Sequence, residues 1–174
     1  MNHQDHVALI RDGVSGGGRS WVELGSGRGA FTLALAELLE PRGDILSVDR
    51  DAAALRRQEQ EMRLRFPHAA VTYRTADFVD GLDLPRVDGI LMANSLHFVT
   101  DKLPLLRRLR SRVREAGRFL LVEYEADRGN PWVPHPISYA RWEQLAAEAG
   151  FARTRRLSRV PSRFLGEIYS ALSE

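Results

Sequence analysis

The segment Val-Glu-Leu-Gly-Ser-Gly-Arg-Gly-Ala-Phe, residues 22 to 31, constrains the fold more than any other. An apolar strand ends in Glu23, glycines follow at 25, 27 and 29, and a helical pattern starts at once. Glycine there permits positive φ and lets a ligand approach the backbone closely. The helix that follows offers unpaired N–H donors at its first turn. In parallel α/β sheets such strand-to-helix loops lie at the carboxyl ends of the strands, where ligands bind.

The rest of the chain agrees with that setting. Ser20–Leu24 reads as a buried strand, and Phe31, Leu35, Leu38 and Leu39 share a helix face that stops near Pro41 and Gly43. Asp44–Asp49 is a second strand, Asp51 a cap for a second helix, and Ala70–Arg74 a third strand. Val87–Ala93, almost wholly apolar, has the look of a strand buried on both faces. Leu103–Arg114 predicts a helix with Leu105, Leu106, Leu109 and Val113 inward, and Phe119–Val122 a fifth strand. After a proline-rich loop, Ser138–Ala149 reads as a helix stopped by Gly150. Residues 153–160 and 164–172 are strand-like and joined only by Pro161-Ser162-Arg163, a link too short for a parallel crossover. Five βα units and a terminal antiparallel hairpin predict an α/β fold: a doubly wound, mostly parallel sheet with helices on both faces. Residues 1–174 read as a single domain, with a short N-terminal helix over 1–13.

Composition excludes some chemistry. With no cysteine, the chain has no disulfide, thiolate nucleophile or zinc-thiolate site. The first residues lack the pattern of a secretory signal, and no apolar run reaches spanning length, so a cytoplasmic location and no membrane partner are expected. Lys102 is the lone lysine among 25 basic residues, the net charge is only +2, and the arginines at 107, 108, 110, 112 and 114 read as a solvated helix face. No nucleic-acid partner is expected.

The glycine spacing alone leaves a dinucleotide open, because Ala30 replaces the third fingerprint glycine in an accepted way. Glu23 argues otherwise: a carboxylate beside the loop suits a cationic ligand better than a pyrophosphate. Asp49, 20 residues after Gly29, is placed to bind ribose hydroxyls, and Asp77 follows the third strand. Three carboxylates at three successive strand ends are expected to converge on one crevice, fit for adenosine carrying a positive, phosphate-free tail.

Glu23-Leu-Gly25-Ser-Gly27-Arg-Gly29, with Asp49 and Asp77, resembles the class I S-adenosylmethionine-dependent methyltransferases, and within them the small-molecule type. The resemblance covers nearly the whole chain. It implies a seven-stranded sheet of order 3-2-1-4-5-7-6 with strand 7 antiparallel, and S-adenosylmethionine as cofactor. It further implies that Glu23 and the loop Gly25, Ser26, Gly27 and Gly29 hold the methionine part and that Asp49 takes the ribose. Asp77 and the Phe78 N–H would meet the adenine, Arg50 would lie beside it, and Asn94 would complete the set.

The loop after the fourth strand, Asn94-Ser95-Leu96-His97-Phe98, faces the methyl group in that family. His97 is either a proton acceptor for a hydroxyl or amine nucleophile, or a residue that packs on the cofactor or bonds a backbone carbonyl. Tyr124 and His135 are the other catalytic candidates. Arg128, Trp132 and Arg163 are candidates for substrate binding, Trp132 being either a wall of the site or a packing plug. No metal is expected. The reading is methyl transfer to an oxygen or nitrogen of a small molecule, mainly by alignment. Its alternatives are a methyltransferase for protein or RNA and a non-catalytic cofactor-binding domain. A homodimer is a candidate assembly.

Overall fold

The computed structural model describes residues 1–162 and 164–174; Arg163, one of the candidate substrate residues, lies outside the described residues. Helix α1, His3–Val14, precedes strand β1, Ser20–Leu24. Then follow α2 (Ala30–Leu39), β2 (Asp44–Asp49), α3 (Ala52–Arg65), β3 (Ala70–Thr75) and β4 (Val87–Ala93). A single 3₁₀ turn, Leu96–Phe98, leads to α4 (Lys102–Arg110), β5 (Val113–Tyr124), α5 (Tyr139–Glu148), β6 (Thr154–Pro161) and β7 (Glu167–Ser173).

The seven strands form one sheet in the order β3-β2-β1-β4-β5-β7-β6. The first five are parallel, and β7 runs antiparallel to both β5 and β6. Strand order reverses between β1 and β4, whose ends carry the glycine loop and the Asn94 loop. The expected topology is therefore the observed one.

Each face of the sheet has its own core. On one face α1 and α2 cover Trp21, Ile45, Leu91, Leu120 and Val122. On the other, α4 and α5 cover Val22, Ile90, Phe119 and Leu121, and Trp142 packs fully buried against Phe119 with ring centroids 5.5 Å apart. Local capping follows the sequence. The Asn2 and Asp5 side chains form a reciprocal capping box on α1, and Asp51 accepts the N–H groups of Ala53 and Ala54 at the start of α3.

Three expectations change. Residues 76–86 join β3 to β4 without a helix, so there are four βα units, not five. Helix α4 ends at Arg110, and Val113 belongs to β5, paired with Val87, because the Val87 N–H bonds the Arg112 carbonyl and draws the chain into the sheet. The hairpin loop is longer than Pro161-Ser162-Arg163. Pro161 still pairs, on edge strand β6, where its missing N–H costs no ladder bond. β7 begins only at Glu167, after a turn closed by the Ser162 N–H on the Gly166 carbonyl at 2.8 Å.

Among the described residues no helix is long and apolar enough to cross a membrane. Because Trp142 fills the contact between α5 and the sheet, Trp142→Ala should lower the unfolding free energy by about 3–5 kcal/mol, read from urea melts followed by circular dichroism.

Candidate cofactor and acceptor site

The loop after β1 has the backbone its glycines foretell. Gly25, Gly27 and Gly29 all take positive φ, at 74°, 54° and 84°. A Cβ at Gly25 would stand 2.5 Å from the Ser95 Cβ, and one at Gly29 would stand 2.3 Å from the Gln58 Cγ. At Gly27 nothing lies within 4 Å of that position, so the middle of the loop faces open space. The Gly25 and Ser26 N–H groups bond the Val48 carbonyl at 2.9 and 3.1 Å, which ties the loop to the end of β2.

Beside this loop lies a cavity of about 300 Å³, lined by Gly25, Asp49, Arg50, Ala76, Asp77, Phe78, Val79, Asp80, Asn94, Ser95 and Phe98. Asp49 accepts the Gly27 N–H at 2.7 Å and the Asp51 N–H at 2.8 Å, so its carboxylate is already oriented at the rim. Asp77 accepts the Val79 N–H at 2.9 Å, and Arg50 stands 4.0 Å away at its other oxygen. The Arg108 guanidinium, from α4, donates to the Phe78 and Val79 carbonyls and fixes this stretch from outside. Three acidic side chains, two apolar rings and an open glycine backbone fit an adenosine-bearing cation.

Glu23 stands elsewhere. The three carboxylates do not all converge on the crevice: Asp49 and Asp77 line it, whereas Glu23 is 1% exposed and lies under the loop. There the Thr32 hydroxyl donates to Glu23, and the Gln58 amide donates to Thr32. Burial pushes the Glu23 carboxyl up to about 8, against the opposing pull of the Thr32 hydrogen bond. Strand β1 is central in the sheet, so its last side chains have little path to solvent.

A second cavity, about 730 Å³, opens between the start of α1, the end of β5 and the hairpin. Met1, Val160, Pro161, Phe164 and Ile168 give it apolar walls, and Asp5, Tyr124 and Ser162 add polar groups. Asn94 is the residue common to the linings of both cavities, and its backbone is left-handed, φ 52°. Asparagine tolerates that conformation better than most residues.

His97 is buried and lines neither cavity. Its Nδ1 lies 2.9 and 3.0 Å from the two oxygens of Glu123, a wholly buried residue of β5. Glu123 also accepts the backbone N–H groups of His97 and Tyr124, at 3.1 and 2.8 Å. Facing a carboxylate, Nδ1 carries the proton and donates it, and in the neutral ring Nε2 carries the lone pair. The His97 ring lies against Phe98 and edge-on to Tyr124, at centroid distances of 4.3 and 5.7 Å. So its partner is a carboxylate rather than a backbone carbonyl.

The proline-rich loop contributes less to the cavities than its position suggested. The His135 N–H bonds the His97 carbonyl at 3.0 Å, and the exposed ring lies 3.2 Å from the Thr100 hydroxyl. Trp132 is 74% exposed, so it is no packing plug, and neither it nor the exposed Arg128 lines either cavity. Thr32, Gln58 and Ser47 escaped sequence reasoning. Glu123 is legible in the sequence, beside Tyr124, as a carboxylate at the end of an apolar strand and a candidate for the pocket floor; it is buried and lines neither cavity, whereas Tyr124 lines the larger one.

Comparison with known proteins accords with this geometry. A family model described as a methyltransferase domain matches residues 22–119. A ribosomal protein L11 methyltransferase from Lacticaseibacillus paracasei is 31% identical over 113 residues, 65% of this chain and 34% of that protein. The chain thus spans about a third of the length of that curated relative. The YcgJ protein of Bacillus subtilis superposes with TM-score 0.78 at 13% identity, over 98% of each chain. The N-terminal domain of EvdMO1, crystallised in the presence of SAH and D-fucose, gives TM-score 0.76 at 22% identity, over 100% of this chain and 83% of that one. At such identities these two likenesses speak for the fold. With the glycine loop inside the matched segment and the sheet order observed, the chain belongs to the methyltransferase-domain family, of the class I S-adenosylmethionine-dependent kind.

Proposed function

We propose that this chain transfers a methyl group from S-adenosylmethionine to an oxygen or nitrogen of a small molecule, chiefly by proximity and in-line alignment. The observation that carries the reading is Asn94, shared between a cavity of nucleoside character and a larger, mostly apolar one. Two compartments meeting at one residue suit a donor and an acceptor whose reacting atoms must meet head-on.

Asp49 would hold the ribose hydroxyls, and Asp77 with the Phe78 N–H the adenine edge. The glycine loop would leave room for the amino-acid part, and Arg50 would flank the base. S-adenosylmethionine supplies a methyl group already activated by a sulfonium centre. The protein's task is then to align the acceptor and exclude water, because positive charge fades as the methyl leaves sulfur. Tyr124, Ile168 and the hairpin residues Val160 and Phe164 would form the acceptor wall.

A second reading is methylation of a protein. The relative that acts on ribosomal protein L11 favours it, as do Phe98, Trp132 and Phe164, exposed by 57%, 74% and 72%. Incubation with methyl-labelled donor separates the two. Label in the small-molecule fraction of a cell extract supports the first reading, label only in protein replaces it with the second, and label in neither overturns both.

Asp49→Ala should abolish the thermal shift given by S-adenosylhomocysteine and lower the unliganded melting temperature by only a few degrees (about 2–6 °C), since Asp49 bonds two backbone N–H groups, that of Gly27 in the glycine loop and that of Asp51. An unchanged shift would remove Asp49 from the cofactor site. His97→Asn keeps a donor for Glu123 and removes Nε2. Alignment predicts a kcat within about tenfold of wild type, whereas a general base would cost roughly 10²–10⁴.

A further inference from the structure

The turn where the two cavities meet is held from outside. Asn94 keeps its left-handed φ of 52° without help from its own side chain, whose amide oxygen is buried and has no hydrogen-bond partner among the described residues. A residue other than glycine persists in that region only where its surroundings over-determine it. Upstream, the Asn94 N–H bonds the Val122 carbonyl at 2.8 Å, and the Ser95 hydroxyl donates to the Leu24 carbonyl at 2.7 Å. Downstream comes a single 3₁₀ turn, Leu96–Phe98, too short to hold its own shape. The His135 N–H bonds its His97 carbonyl, and Lys102 donates to the Val99 carbonyl just beyond it at 2.7 Å. Neither tie involves Tyr124.

Glu123 joins this turn to the end of β5. Its Oε2 accepts the His97 backbone N–H at 3.1 Å, and its Oε1 accepts the Tyr124 N–H at 2.8 Å. The His97 ring N–H points between the two oxygens, at 3.0 and 2.9 Å. One carboxylate thus fastens the loop that carries Asn94 to the strand end that carries Tyr124, and both of those residues line the larger cavity. We propose that Glu123 is a positioning residue for methyl transfer: acting through His97 and the Tyr124 backbone, it fixes Asn94 and Tyr124 relative to each other and so sets the line along which acceptor meets methyl group. This rests on the methyl-donor reading above and gives its alignment a physical source.

The residue type matters. A carboxylate offers two equivalent acceptor oxygens and no N–H, whereas an amide of the same shape has one oxygen. Glutamine in this place would leave either the His97 or the Tyr124 backbone N–H facing an NH₂ group. A buried N–H without a partner is strongly disfavoured, so the loop or the strand end would shift to find one. Glu123 is wholly buried and lines neither cavity. Its replacement therefore acts on geometry, not on contacts with donor or acceptor. In-line transfer is sensitive to that geometry, because a misplacement of about 1 Å costs on the order of 100-fold in rate.

The rate to measure is that of methyl label passing from saturating S-adenosylmethionine into the small-molecule fraction of a cell extract. Glu123→Gln should lower it about 100-fold, while the donor KM and the calorimetric affinity for S-adenosylhomocysteine stay within about threefold. His97→Leu, which takes the ring donor away from the buried carboxylate, should lower it comparably. His97→Asn, whose amide N–H can stand in for Nδ1–H, should recover about tenfold of that loss. Nuclear magnetic resonance adds a reading that needs no acceptor. With S-adenosylhomocysteine bound, Glu123→Gln should move the Cα and Cβ shifts of Asn94, which follow its φ, and the Tyr124 amide signal, but not the signals of Gly27 and Asp77. The proposal is overturned by a wild-type rate in Glu123→Gln, by donor affinity falling in parallel with rate, by His97→Asn no faster than His97→Leu, or by unmoved Asn94 signals. Should Glu123→Gln fail to fold, the two His97 variants decide by the same readings. Absence of transfer by wild type would overturn the small-molecule reading, and the Asn94 signals would then decide by themselves whether Glu123 holds the turn.

Discussion

The contact of Gln58 with the underside of Gly29 is the constraint on which the donor site depends. The loop can curl as it does because residue 29 lacks a Cβ, and the space so freed is taken by the Gln58 side chain. A glycine motif is often described as room for a ligand. Here at least one of the glycines makes room for the protein itself. The open side is at Gly27, and the occupied side keeps the open one in place.

Much of the architecture was legible in the sequence. Apolar runs of strand length, separated by helical periodicity, gave the alternation, and the brevity of the final connection gave the antiparallel hairpin. Asp49 and Asp77 could be placed because the one ends, and the other follows, a recognisable strand. What could not be read were pairings across long sequence separations. Gln58 meets Thr32 and Ser47 only through the fold, and α3 is so polar that a buried amide leaves no mark in its pattern. The expected crevice of three carboxylates failed for a related reason. Alternation along β1 says that Glu23 terminates a strand but not how deep that end lies. His97 was visible as a candidate, yet its partner Glu123 is 26 residues away on β5.

The arginines from 107 to 114, along the end of α4 and into β5, show why residue type alone misleads. Read as a charged face, it suggested solvent. In the fold these side chains act as struts. Arg108 reaches the Phe78 and Val79 carbonyls, Arg110 the Gly150 carbonyl, and Arg112 the Leu84 carbonyl. Arg114 joins Asp88 and Ser20 at the opposite end of β4 from Asn94. The guanidinium fork, with five donors in a fixed plane, can bind a loop backbone in a way an ammonium cannot. With these groups engaged, the surface they occupy is less available to a phosphate backbone.

Most of those partners are neutral peptide oxygens rather than carboxylates. Attraction between full charges several ångströms apart fades as salt is added, but a hydrogen bond to a carbonyl is a contact force that counterions scarcely reach. A protein whose loops are pinned in this way should keep its shape across a wide range of ionic strength, despite so many cations in one short segment.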